Sequence, residues 1–364
     1  SFSPSIKKFE KNLIKELKSL KNELETCTYK PKPLKRFIIR DLKTRTIHAS
    51  AVRDRVTQHA VVKILEPIFD KIFIHDSFAN RLGKGTHKAV LRFDEFKRKI
   101  SNNGKLVNNN YNNKNLVRGY ILKADIKHYF DTVDHNILLS LIERKIKDNK
   151  VMSLIKAILD NHNAKIDGKG MPLGNVTSQF FANLYLDSLD QYVKHCLKIK
   201  YYIRYVDDFI VFHKNKEVLE IYKNKINEYL ANLKLELHPD KSKIIPLRNG
   251  IAFLGYRIFY HHKLLRKNNM KKFEKKFNFK LEMYTEELIS QEELLASVKG
   301  WCGYAMWANT YKLRKNIGQI MKKSTLYRGL YKQVINTTSS LKIRMFINEQ
   351  NNQKWDKITK NGTK

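Results

Sequence analysis

Two adjacent carboxylates, Asp207 and Asp208, sit in Tyr205-Val206-Asp207-Asp208 between two short apolar runs of β type, Tyr201-Tyr202-Ile203 and Phe209-Ile210-Val211-Phe212. The pattern predicts a hairpin with the acids at its tip. Neighbouring Asp side chains repel one another, and hydration or a divalent cation must offset that repulsion. Because Asp is also common in solvated turns, the pair taken alone leaves both readings open.

A second acidic position narrows the choice. Asp125 lies far upstream in a strand-like stretch, residues 122–130, so two distant strands can bring three carboxylates together. Such a set suits nucleotidyl transfer, which uses two Mg²⁺ ions about 3.5–4 Å apart to activate a 3′-hydroxyl and to hold the triphosphate. Asp131 and Asp134 read instead as the loop and N-cap of a helix at 135–146.

Asp125 with Phe130, then Met171-Pro172-Leu173-Gly174-Asn175-Val176-Thr177-Ser178-Gln179, then Tyr205-Val206-Asp207-Asp208, resemble in order and spacing the palm of a reverse transcriptase. Lys43-Thr44-Arg45-Thr46-Ile47 and Val52-Arg53-Asp54-Arg55-Val56 resemble its fingers, and Phe253-Leu254-Gly255-Tyr256 its primer grip; the likeness spans roughly residues 30 to 330. Retroviral and group II intron enzymes usually carry Gln-Gly where this chain has Leu173-Gly174. The aliphatic-Gly-x-x-x-Ser-Gln pattern ending at Gln179 resembles diversity-generating retroelements, as do Ser77-Phe78-Ala79-Asn80-Arg81-Leu82-Gly83-Lys84-Gly85-Thr86-His87 and Ala308-Asn309-Thr310-Tyr311-Lys312-Leu313-Arg314. Some phage-defence reverse transcriptases share parts of this pattern.

Composition agrees. The chain of 364 residues carries 71 Lys and Arg against 35 Asp and Glu, a formal charge of +36, and a field of that sign captures polyanions. No run of about 18 apolar residues and no charged-then-apolar leader is visible, so no membrane partner is expected. Cys27, Cys196 and Cys302 are widely spaced and lack Cys-x-x-Cys pairing. They form neither a disulfide framework nor a zinc site and fit a reducing cytoplasm; the resemblance implies a bacterial, archaeal or phage-encoded chain.

The expected fold is α+β, a right-hand polymerase. Residues 1–26 form an amphipathic helix packing on its own fingers, with fingers at 27–120, the first palm segment at 121–134 and helices at 135–170. The palm continues over 171–260 with the primer-grip hairpin, a basic helical thumb covers 261–332, and a tail follows at 333–364. Leu233–His238 and Ile251–Ile258 read as strands that close the palm. Residues 102–115 hold eight Asn and read as a polar loop. Residues 263–282 hold eight Lys or Arg in a helical pattern continuing towards Leu295, and 312–332 contain no acid. Lys271, Lys272, Lys275, Lys312, Arg314 and Lys315 are the candidates for phosphate contact, whereas Trp301, Tyr304, Trp307 and Tyr311 read as helix core.

The resemblance implies RNA-templated DNA synthesis. Asp125, Asp207 and Asp208 would hold two Mg²⁺, and Lys43 and Arg45 would neutralise the dNTP triphosphate. Phe130 would exclude a 2′-hydroxyl, and Leu173, Gly174 and Gln179 would line the nucleotide site. Lys241 is a candidate proton donor to pyrophosphate, and Phe253, Leu254, Gly255 and Tyr256 would grip the primer. The expected partners are a structured template RNA, the RNA/DNA primer–template duplex and dNTPs; no protease, RNase H or His-Asn-His endonuclease pattern is visible, and the resemblance implies an oligomer of a small basic accessory protein. The alternatives are a phage-defence reverse transcriptase and, outside the enzymes, a catalytically silent RNA-binding maturase.

Overall fold

The computed structural model describes residues 4–40, 44–105, 117–162 and 166–323. They divide into two compact units, with the boundary between residues 249 and 250.

In the first unit, helices Pro4–Lys11 and Leu13–Glu25 precede a two-stranded antiparallel hairpin, β1 (Lys35–Arg40) and β2 (Thr44–Ala49). The expected single N-terminal helix is broken at Asn12, whose amide turns back to the Phe9 carbonyl at 3.1 Å. Only Leu20 of the second helix is buried, and Glu23 pairs with Arg53 on helix Val52–Phe69. Helix Thr86–Ile100 follows.

The centre of this unit is a four-stranded sheet made of β3 (Tyr120–Asp125), β4 (Tyr202–Tyr205), β5 (Asp208–His213) and β6 (Lys243–Pro246), in the order β4-β5-β3-β6. All its pairings are antiparallel. Helices His135–Glu143, Asn149–Asp160, Val176–Gln191 and Lys216–Asn232 supply much of the remaining core, with Leu122, Phe181, Tyr185, Phe209 and Leu230 fully enclosed. Asp134 caps the first of these helices, its carboxylate accepting from the Ile137 amide at 3.1 Å, which removes one of the unpaired donors at a helix start. Helix Val176–Gln191 runs on into a π-turn, Tyr192–Cys196.

Two sequence expectations about this sheet are corrected. The strand holding Asp125 ends at that residue rather than running to Phe130: His128 adopts φ +48 and a short helix, Tyr129–Thr132, follows. Residues 233–238 do not form a strand. Leu233 and Lys234 wind off the preceding helix, bonding to the Leu230 and Ala231 carbonyls, and Leu233, Leu235 and Leu237 plug the core below the sheet. A single bridge, Leu237 to Ile126, is all that pairs there, and β6 takes the edge position instead.

The second unit begins with β7 (Ile251–Phe253), β8 (Tyr256–Ile258) and β9 (Lys263–Leu265), one antiparallel three-stranded sheet. The Ile251–Ile258 hairpin therefore pairs with β9 and not with the palm sheet. The expected continuous helix from 263 to 295 is instead β9, helix Lys267–Thr285 and helix Gln291–Ala305. The break is set by Glu287 at φ +58 and by Ser290, whose hydroxyl caps the Glu293 amide at 3.2 Å. Helix Tyr311–Lys323 completes the unit. Trp301 stacks on Phe273 at 3.8 Å, beside a core of Phe277, Leu294, Val298 and Ile317. Among the described residues, no helix is long and apolar enough to cross a membrane.

Candidate active site

Antiparallel register brings the acids together. Asp125, the last residue of β3, is the register partner of Asp208, the first residue of β5. Asp207 and Val206 form the two-residue turn between β4 and β5, and the Asp207 carbonyl accepts the Ile126 amide at 3.3 Å. Val206 is held at φ +56. A β-branched residue in this left-handed region is strained by about 1–3 kcal/mol and persists only where its surroundings enforce it.

Lysines answer the acids. Lys241 Nζ lies 3.1 Å from Asp125 Oδ1, and Lys123 Nζ lies 3.7 Å from Asp208 Oδ1. Burial, reinforced by the Asp208 and Asp125 charges and opposed by Lys241, pushes the Asp207 carboxyl up to about 6.

These side chains offer only hard oxygen donors, the type that Mg²⁺ takes. Among the described residues, no three His, Cys, Asp or Glu side chains form a ready metal cage. That is compatible with Mg²⁺, which is held by one or two carboxylates together with substrate phosphates and water rather than by an all-protein shell. Burial together with the Asp208 and Asp125 charges, which raise Asp207, is the imbalance a cation would relieve, so the residues fit the ion.

The Leu173-Gly174 turn packs against β2. The His48 amide donates to the Leu173 carbonyl at 2.9 Å, and Ser50 Oγ lies 3.0 Å from Asn175 Oδ1 with Gln58 Nε2 behind it at 2.9 Å. Gly174 has φ +112, and a Cβ there would stand 2.8 Å from Ile47 Cγ2. Glycine is therefore required both by the backbone and by the neighbouring strand. Gln179 is exposed on the first turns of helix Val176–Gln191. Phe130 is half-buried, in T-shaped contact with Tyr129 at 5.5 Å, and its carbonyl accepts the Met171 amide at 2.7 Å. Arg45 is exposed on β2, while Lys43 lies outside the described residues.

The primer-grip candidates belong to the second unit. Phe253 and Tyr256 flank a tight turn in which Leu254 has φ +45 and Gly255 φ +91. A side chain at Gly255 would run into the Tyr304 hydroxyl, which donates to the Gly255 carbonyl at 3.1 Å. Lys271, Lys272 and Lys275 are on the exposed face of helix Lys267–Thr285, opposite buried Phe273 and Phe277. Lys312 and Lys315 are exposed on the last helix, and Arg314 bonds Thr310. The 333–364 tail lies outside the described residues.

Sequence reasoning missed the charge buried behind the turn. Arg204 on β4 and Asp190 on helix Val176–Gln191 are both fully enclosed and form a bidentate pair. The available signal was a lone Arg within the apolar run 201–205 and two acids, Asp187 and Asp190, near the end of a largely apolar helix. The 77–87 segment borders the same strand. Its Phe78 amide donates to the Arg204 carbonyl at 3.0 Å, and Thr86 Oγ1 lies 3.1 Å from the Tyr205 hydroxyl.

Comparison with known proteins agrees with this architecture. Protein YkfC of Escherichia coli (strain K12) is 29% identical over 287 residues, covering 67% of this chain and 71% of YkfC. The group II intron-encoded protein LtrA of Lactococcus lactis is 26% identical over 315 residues, covering 67% of this chain and 49% of LtrA, so the chain spans about half the length of that relative. Among solved structures, apo telomerase from Candida Tropicalis superposes with a TM-score of 0.51 at 14% identity, over 86% of this chain and 59% of that one. The same enzyme with a telomeric RNA fragment gives 0.50 at 15%, over 89% and 60%. At these identities the likeness speaks for the fold. Residues 30–258, which include every strand and turn around Asp125, Asp207 and Asp208, match the reverse transcriptase (RNA-dependent DNA polymerase) family, and the chain belongs to that family.

Proposed function

We propose that the chain synthesises DNA on a structured RNA template, using Asp125, Asp207 and Asp208 as its metal-binding carboxylates. The observation that carries this reading is the shared rung of Asp125 and Asp208 with Asp207 in the adjoining turn. Two Mg²⁺ ions held there would supply charge neutralisation at the triphosphate and activation of the primer 3′-hydroxyl. The chain's own residues do the rest. Arg45 neutralises triphosphate charge from β2, and Phe130 crowds a ribose 2′-hydroxyl. The Leu173-Gly174 turn, latched to β2, borders the incoming nucleotide. Lys241, beside Asp125, is the group available to hold or deliver a proton at the leaving phosphate. The lysines of helix Lys267–Thr285 and of 312–315 track the duplex backbone, aided by the overall charge of +36.

Within the family, the Leu173-Gly174 turn supports a mutagenic enzyme of a diversity-generating retroelement, working with a small basic accessory protein. Several relatives are named as intron-encoded proteins or maturases, which favours an intron-RNA-binding reading as the second choice. The intact acids weigh against a silent version of it.

Primer extension on an RNA template in Mg²⁺, followed by sequencing of the cDNA, tests both levels. The wild type should incorporate dNTPs, and Asp207→Ala with Asp208→Ala should reduce synthesis to background while leaving RNA binding nearly intact. Absence of wild-type synthesis, or retained synthesis in the double variant, overturns the active-site reading. Substitutions should cluster opposite template adenine; accurate copying there points to the phage-defence alternative.

A further inference from the structure

Both side chains of the Arg204–Asp190 ion pair are fully enclosed, and nothing in the chemistry above uses the pair. Arg204 Nε lies 2.8 and 2.9 Å from the two Asp190 oxygens, and one terminal nitrogen lies 2.6 Å from Oδ2. Tyr202 donates its hydroxyl to Asp190 Oδ1 at 2.8 Å, which helps to hold the carboxylate still. The other terminal nitrogen of Arg204 points away from Asp190, to Asn183 Oδ1 at 3.0 Å and to the Val206 carbonyl at 3.3 Å. Asn183 is itself anchored, its amide donating to the Ala79 carbonyl at 2.7 Å.

Stability does not explain this arrangement, because enclosing a charged pair forfeits hydration that an apolar pair of similar volume would not need. The geometry offers another reason. The two carbonyls of the turn are each bound from a different side, Val206 by Arg204 and Asp207 by the Ile126 amide. Val206 is the strained residue of that turn, and strain persists only under such external restraint. The Arg204 backbone is fixed as well, its amide donating to Asp76 and its carbonyl accepting from Phe78, both at 3.0 Å.

We propose that Arg204, locked by Asp190, is a positioning residue: it holds the Val206 carbonyl, and through it the peptide carrying Asp207, at the separation from Asp125 and Asp208 that metal binding requires. The planar fork of arginine serves acceptors on three residues, Asp190, Asn183 and Val206, in fixed directions, which a lysine ammonium cannot reproduce. The inference rests on the polymerase reading of these carboxylates.

The test uses the full chain with Arg204→Met and Asp190→Leu combined, which removes both charges together and leaves neither orphaned. Arg204→Lys serves as the conservative variant that keeps the buried cation without the fork. Thermal melting, RNA affinity, kcat, KM for dNTP and the Mg²⁺ concentration for half-maximal rate are measured for each. The double variant should stay folded and bind RNA as the wild type does, melting somewhat lower because the Tyr202 hydroxyl and Asn183 Oδ1 lose their partners, while kcat falls at least tenfold and the Mg²⁺ requirement rises several-fold, with KM for dNTP changed little. Arg204→Lys should recover only part of the loss, and it carries the test alone if the double variant does not fold. A folded variant with wild-type kcat and Mg²⁺ dependence overturns the positioning role. A wild type that binds RNA but makes no DNA overturns the polymerase reading instead.

Discussion

Asp125 and Asp208 occupy one rung of an antiparallel ladder, each with a lysine ammonium close to its carboxylate. Asp207, one residue into the turn, is the member of the set whose carboxyl is pushed up, through burial and the nearby Asp208 and Asp125 charges. The site is thus an anionic cluster with partial local compensation.

That imbalance has a pH signature. With its folded value raised to about 6, Asp207 binds more protons folded than unfolded between its ordinary value near 4 and about 6, so the metal-free protein loses stability as pH rises through that window. Asp207→Asn should therefore melt higher than the wild type at pH 7.5 without Mg²⁺. The gain should shrink as pH falls through about 6 and vanish only below the ordinary value near 4, where the wild-type carboxyl is protonated in both states. In the wild type, half-maximal Mg²⁺ should rise as pH falls through about 6. Melting curves across pH and Mg²⁺ titrations of activity check both statements.

Gly174→Ala should destabilise the first unit by about 1–3 kcal/mol, since alanine at φ +112 is strained and its methyl meets Ile47. In an Ile47→Ala background the contact part should disappear and the backbone part remain. Urea unfolding of the two single variants and the double gives the coupling directly. Additive effects would mean that the added methyl does not press on Ile47.

Leu173→Gln should sharpen nucleotide selection. The Leu173 carbonyl is already committed to the His48 amide, so the substitution changes only what the side chain offers, adding an amide where leucine has neither donor nor acceptor. One such bond is worth about 0.5–1.5 kcal/mol, up to about tenfold in discrimination. Misincorporation opposite each template base should fall by up to that factor, most of all opposite adenine. Identical error spectra would remove Leu173 from the fidelity argument.

Phe130→Ala should admit ribonucleotides. Phe130 leans on Tyr129 yet remains partly exposed five residues beyond Asp125, and its removal opens space without emptying the deepest core. The ratio of kcat/KM for dNTP over rNTP should drop about tenfold or more; an unchanged ratio rejects the gate.

Local patterning determined much of this. The two short apolar runs that flank Val206 and Asp207 make a hairpin, because β-prone runs so closely spaced are joined by a two-residue turn. Asp134 had to cap a helix, because the amides that begin one lack internal partners. What the chain could not declare locally was decided by long-range packing. The alternating leucines at 233–238 suit a strand or a buried plug equally, and the core beneath the sheet selected the plug. Lys243–Pro246 took the sheet edge because its register with Tyr120–Lys123 was available, and the Ile251–Ile258 hairpin found its partner in Lys263–Leu265. Arg204 and Asp190 acquire meaning only when a strand and a helix are brought together in the folded core, since the cost of burying charge and the means of cancelling it exist only after tertiary packing has excluded water.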